Sequence, residues 1–380
     1  MWVGQYVILV ASAFADGGCR ELEWTQPIGL SISDLGVGAE EFREMLRNSS
    51  TQPDDAALLR VASALDKRDL RIVSLGGSVT MGVGCPTTTG AGYEGTLPVK
   101  ERSVPRAVPK SLQDEHACAW PAQLQVLLRQ LFPGRRHTVT NHGNHGVSIQ
   151  FGANLMSTDS VARGADLLLA VLLNYDINDA GETPEEIQFA TERVVRAARA
   201  RDQALLFVHM CSNSKKLSVS DEQRAWVRAS ASPPSRLCAV VQDIKADVLA
   251  GYGVPAVSYT DFVWERAGDN PKTLFGLTGT VHPPWSFHTL LAWLVAHRLA
   301  DAHTAASCHP STAGNAVAAK TPARPLFAGD HPACEEFGTT LSGIGCNFPG
   351  CAERRGGEVA LQATRREEAR LMALRAVCPV

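Results

Sequence analysis

Residues 166–175 contain L-L-L-A-V-L-L, the most apolar stretch of the chain, and it lacks the alternation of a strand that faces water. A strand buried on both faces needs helices over each face, an arrangement met in the parallel sheets of α/β proteins. Further strand-like runs at 71–75, 137–141, 204–210 and 254–262 are separated by helical spacing at 54–68, 120–132, 183–201, 237–250 and 285–301. Leu58, Leu59, Val61, Ala62 and Leu65 make one apolar face of the first helix, and Leu124, Leu127, Leu128 and Leu131 one face of the second, which Pro133-Gly134 ends. Thr183-Pro184-Glu185-Glu186 is a capping box with proline at the first helical position. This alternation predicts an α/β fold: five parallel strands in a doubly wound sheet, three layers deep. Right-handed crossovers then bring the strand ends to one edge.

The first of these strands continues as R-I-V-S-L-G-G-S-V-T-M-G-V-G over residues 71–84. Gly76-Gly77 breaks the strand where the backbone turns, and Ser78 follows at once. A hydroxyl there stands at the carboxyl end of a strand and the start of a helix, in the crevice where open α/β sheets place their chemistry. Ser78 is therefore a candidate nucleophile, although a turn with a capping serine would read the same. A phosphate loop is excluded, since no Gly-Lys-Ser/Thr follows. The turn N-H-G-N-H-G-V-S after the next strand holds His142 and His145 at i, i+3 without a Glu or Cys companion, which is a polar turn rather than a metal site.

A chain of 380 residues with 45% hydrophobic and 20% charged residues is globular, with a sizeable core. Its net charge of -3 gives no footprint for nucleic acid. Residues 1–15 are expected to be a signal peptide, because an apolar run ends in Ala13-Phe14-Ala15, although no basic residue precedes it. Asn48-Ser49-Ser50 is a glycosylation sequon, and the ten cysteines are even in number without any Cys-x-x-Cys, so the chain is expected in the secretory pathway or outside the cell. No later run is long and apolar enough for a membrane span, and no hydrophobic tail signals a lipid anchor. Residues 16–68 form an N-terminal extension with a covering helix, 69–302 the main domain, and 303–380 a cysteine-containing tail. Within the main domain, residues 86–118 are rich in Thr, Gly, Pro and basic residues and read as a loop or lid, clamped at its base if Cys85 pairs with Cys118.

Four short motifs in order resemble the SGNH/GDSL hydrolase superfamily over residues 71–300. G-G-S-V-T resembles the first block, N-H-G-N-H-G the second, Y-D-I-N-D the third, and V-H-P with a second histidine six residues on the last. The resemblance implies a flavodoxin-like SGNH hydrolase fold, with Ser78 as nucleophile and His282 as its base. It makes the N–H groups of Ser78 and Gly146 and the side-chain amide of Asn178 the oxyanion hole. Alone, Asn178 also suits a turn after a strand and His282 a surface loop; the order of the blocks assigns them. His288 is the alternative base, though its place inside the final helix favours packing. The family's last block is Asp-x-x-His, whereas Gly279 stands three residues before His282. A backbone carbonyl, Asp261 or Asp269 would then have to hold the imidazole.

The chemistry suits those residue types, since a serine hydroxyl becomes nucleophilic when an adjacent base takes its proton, and donors then meet the oxyanion. The expected activity is hydrolysis of an O-acyl ester through a seryl-acyl intermediate, with no metal or cofactor. The partner is a small-molecule or polysaccharide acyl ester, with an acylated carbohydrate favoured by Lys100, Arg102, Arg106 and Lys110 in the lid. A catalytically weak SGNH-fold protein binding a glycan or protein, and an O-acyltransferase, are the alternatives.

Overall fold

In the computed structural model the first strand, β1 (Arg71–Gly76), lies inside the sheet, carries the apolar run that ends before Ser78 and is buried from Ile72 onward. The structure describes residues 32, 38–49, 56–86, 109–157, 168–174, 179, 182–201, 203–210, 240–259, 261–262 and 282–308. Parallel partners flank β1: β2 (Thr138–Gly143) on one side and β3 (Leu168–Asn174) on the other. Beyond β3 lie β4 (Ala204–His209) and then β5 (Ala256–Ser258), also parallel, giving the order β2-β1-β3-β4-β5. The winding thus changes direction at β1, and the crevice outside the carboxyl ends of β1 and β3 is where such sheets accept ligands.

Nine helices are described: α1 (Ala39–Asn48), α2 (Ala56–Ala62), α3 (Ser78–Met81), α4 (Glu115–Cys118), α5 (Trp120–Leu131), α6 (Ile149–Ser157), α7 (Pro184–Arg199), α8 (Val240–Tyr252) and α9 (Trp285–Cys308). Because side chains alternate across a strand, β4 sends Leu206 and Val208 into one core and Leu205 and Phe207 into another. The first core collects Phe42, Leu58, Trp120, Leu124 and Leu291 from α1, α2, α5 and α9. The second collects Ala153, Val194 and Val248 from α6, α7 and α8. Helices therefore cover both faces of the sheet.

Local chemistry sets the element ends. Thr183 and Glu186 exchange side-chain and backbone hydrogen bonds at the start of α7, with Pro184 at its first position, so the capping box forms as the sequence predicts. The two sheet edges are closed differently. On the β2 side, Gln125 of α5 accepts the Val139 N–H at 2.9 Å. On the β5 side, the Ser49 carbonyl accepts the Ser258 N–H at 2.7 Å, so the chain just after α1 takes the place of a further strand.

Several elements differ in extent from the sequence expectation. α2 ends at Ala62 instead of near 68, because the Ala64 and Leu65 N–H groups turn to the Val61 and Ala62 carbonyls. β5 is only three residues long, not the run expected over 254–262, because Tyr259 and Phe262 turn into the core instead of extending the ladder. β2 reaches Gly143, so the N-H-G of the second motif belongs to a strand. α9 continues to Cys308, burying His303 and Ala306 beyond the expected stop near 301. No described helix is long and apolar enough to cross a membrane. The expected signal peptide, residues 87–108 of the expected 86–118 lid and the tail beyond 308 lie outside the described residues; the end of the expected lid is helical, at 110–112 and in α4.

Candidate active site

Ser78 is the first residue of α3, directly after the Gly76-Gly77 break in β1. The turn closes tightly: Gly77 accepts the Met81 N–H at 3.1 Å, and Gly82, at φ +101°, ends the helix in the left-handed region. A single turn of helix thus presents Ser78, 5% exposed, at the carboxyl end of β1.

The motif from β2 packs directly on this turn. At Gly143 an added Cβ would lie 2.3 Å from the Met81 nitrogen, so only glycine permits the approach. The Asn141 amide donates to the Thr80 carbonyl at 2.7 Å while its oxygen accepts the Gly143 N–H at 2.8 Å. Asn144 then donates its N–H to the Gly76 carbonyl at 2.9 Å. Gly146 follows in the exposed part of this turn with φ +65°.

His282 approaches from the opposite direction, on the segment that leads through Pro283-Pro284 into α9. Its Nε2 lies 3.0 Å from Ser78 Oγ. With the hydroxyl as donor, the unprotonated Nε2 is placed to receive its proton, the geometry a serine needs to become a nucleophile. The imidazole also meets the His145 ring edge to face, with centroids 6.0 Å apart. Its Cβ rests against Gly84, where an added Cβ would sit 3.0 Å away, and Gly84 has φ +74°. The next residue, Cys85, is joined to Cys118 with a Cα–Cα distance of 5.8 Å. That disulfide links the turn beneath His282 to α4 and hence to α5.

His288 is placed quite differently. It is fully enclosed at the start of α9, and its Nδ1 accepts the Trp120 N–H at 3.3 Å. Burial, reinforced by the nearby His282, pushes its pKa down to about 3. The ring is neutral, its acceptor atom is committed to α5, and it packs beside the site without facing Ser78. Of the two carboxylates considered for orienting His282, Asp261 is bound by the Gln242 amide at 2.8 Å. Asp269, Gly279 and Asn178 lie outside the described residues. Among the described residues no cluster of His, Cys, Asp or Glu could hold a metal ion.

Ser78 and His282 are therefore brought together by structure across 204 residues of sequence. The sequence reading missed Gly84, the clasp of Asn141 and a fully enclosed pair, Lys245 and Asp179, 2.6 Å apart. Lys245 carries a signal in hindsight, since it lies on the inner face of α8 with Val241, Ile244 and Val248, where a charge demands a partner.

No protein-family model matches the chain, and no curated protein matches it significantly. Among solved structures it is similar to a two-domain esterase (CEX) active on acetylated mannans, at 18% identity and a TM-score of 0.46, over 68% of this chain and 56% of that one. The chain thus spans little more than half the length of that esterase. It is also similar to TesA, at 15% identity and a TM-score of 0.38, over 59% of this chain and 95% of that one. A third likeness is to AlinE4, an SGNH-hydrolase family esterase, at 16% identity and a TM-score of 0.34, over 66% of this chain and 97% of that one. The solved structures that this chain is similar to thus include a member of the SGNH-hydrolase family, whose motifs it resembles in sequence.

Proposed function

We propose that the chain is an SGNH hydrolase-type serine esterase that cleaves an O-acyl ester, with an acylated carbohydrate as the favoured substrate class. The observation that carries this reading is the 3.0 Å contact between His282 Nε2 and Ser78 Oγ at the carboxyl end of β1. In the proposed reaction Ser78 Oγ attacks the ester carbonyl carbon while its proton passes to His282 Nε2. The N–H groups of Ser78 and Gly146 and the Asn178 amide stabilise the resulting oxyanion. As the carbonyl–oxygen bond to the alcohol breaks, the imidazolium returns its proton to the leaving oxygen. Water, deprotonated by His282, then attacks the acyl-serine carbonyl; as its bond to Ser78 Oγ breaks, the imidazolium returns its proton to Oγ and the acid is released. Atoms and protons balance without a metal or cofactor.

The Cys85–Cys118 disulfide supports residence in an oxidising compartment, in keeping with the expected signal peptide. Basic residues of the lid favour a polar ester over a long acyl chain. The test is hydrolysis of p-nitrophenyl acetate by the purified full-length protein. Ser78→Ala is expected to fold normally and to lose at least ~10³-fold in kcat. Unchanged turnover in that variant would refute the nucleophile assignment. One observation favours a second reading, a cleft that binds a glycan without turnover: Gly279 stands where the family carries its orienting aspartate. A wild-type protein inert toward a range of acyl esters would favour it.

A further inference from the structure

Lys245 and Asp179 are both fully enclosed, with Nζ 2.6 Å from Oδ2. Burying two charges costs more solvation than their attraction commonly returns, so an apolar pair of similar size would usually hold a fold as well. What distinguishes this pair is where the second carboxylate oxygen goes. Asp179 Oδ1 accepts the Ile149 N–H at 2.7 Å, and the Asp179 carbonyl accepts the Glu182 N–H at 2.8 Å. Ile149 opens α6 three residues after Gly146, and the same turn is tied at its other end by the Asn144 N–H on the Gly76 carbonyl. Gln150, the next residue of α6, donates to Glu182 at 3.4 Å. In sequence, Asp179 directly follows Asn178.

We infer that Lys245 is a positioning residue: through Asp179, which follows Asn178 in sequence, it fixes the turn that carries Gly146. The inference rests on the reading of Gly146 and Asn178 as oxyanion donors. Such donors are effective only when held in place before the charge develops, and tolerances are a fraction of an ångström. A carboxylate that anchors the back of the Gly146 turn holds that donor in place before the charge develops. The Lys245 ammonium holds that carboxylate in place, from a helix on the flank of the sheet. Lys245 is fully enclosed, so it acts on the site indirectly, through Asp179.

The test compares two double variants, which avoid leaving a lone buried charge. Lys245→Met with Asp179→Leu keeps the volume but removes the acceptor for the Ile149 N–H. Lys245→Met with Asp179→Asn keeps an oxygen acceptor there. A pair that merely holds the fold would be replaced by either without loss. Positioning predicts that the Leu variant melts near wild type yet loses about 10²-fold in kcat toward p-nitrophenyl acetate, with KM within about threefold. The Asn variant should recover at least about a tenfold part of that loss. Hydrogen exchange gives a readout independent of hydrolysis: amides over 144–150 should exchange faster in the Leu variant than in wild type, while those of β4 stay protected. Wild-type exchange over 144–150 in the Leu variant overturns the inference, as does wild-type kcat. A wild-type protein inert toward esters defeats the esterase reading, and exchange then still decides whether the pair anchors the turn. If the Leu variant does not fold, single Lys245→Met is read by the same exchange, where unchanged protection over 144–150 refutes the anchoring.

Discussion

Replacing His288 with asparagine should remove about 2 kcal/mol of the stability that the protein loses between pH 7 and pH 5. In the fold His288 is neutral, with Nδ1 accepting the Trp120 N–H, so Nε2 carries the ring proton. Further protonation has to occur at Nδ1, where it displaces that hydrogen bond and places a charge in a fully buried site. Burial, with a smaller contribution from His282, accordingly lowers the pKa from 6.5 to about 3. The unfolded chain takes up this proton as pH falls through 6.5, and the fold does not until pH nears 3. Stability is therefore complete above about pH 6.5 and declines with acid at 1.36 kcal/mol per pH unit, which integrates to about 2 kcal/mol from pH 7 to pH 5. Asparagine sets an oxygen near the Nδ1 position and does not titrate, while any packing defect it causes is the same at both pH values. Urea unfolding of both proteins at pH 7 and pH 5 isolates the term, since the cavity cost cancels in the difference. An identical acid loss in wild type and variant would refute a buried, neutral His288. His297 is lowered to about 3 mainly by burial in the same helix, while the Asp301 carboxylate 3.3 Å from its Nε2 favours the charged form, so any decline it adds is smaller and common to both proteins.

Two more changes probe the site's support. Gly84→Ala meets both a positive φ and the His282 Cβ, so it should cost about 1 to 2 kcal/mol in stability and lower kcat more than it raises KM; steady-state kinetics with thermal melting check this, and unimpaired kcat would show that His282 does not depend on that contact. Opening the Cys85–Cys118 link by serine substitution at both positions releases a loop with a sequence separation of 33 and should destabilise by roughly 4 kcal/mol. Urea unfolding measures it, and an unchanged midpoint would show that the disulfide adds nothing to the fold.

The alternation of apolar strands with helical spacing carried the α/β class, because burial on one face leaves a period in the sequence and burial of a strand on both leaves an unbroken apolar run. The capping box at Thr183 was equally legible, being a local bargain among four consecutive residues. So was Ser78 after its double glycine, since a strand-to-helix turn is dictated by neighbours in the chain. What lay beyond the sequence was every relation between distant segments. Only the packing of α9 against α5 separates His282, free to face Ser78, from His288, committed to Trp120; both read as histidines near a helix start. The short β5 could not be foreseen, as Val254 to Phe262 has the composition of a longer strand while its pairing ends where Ser49 occupies the edge. Gly84 looked like any loop glycine until His282 came to lie on it. Lys245 shows the limit most clearly: an amphipathic stripe predicts which side of α8 faces inward, but a charge on that stripe finds its meaning only in a carboxylate 66 positions away, which tertiary structure alone delivers.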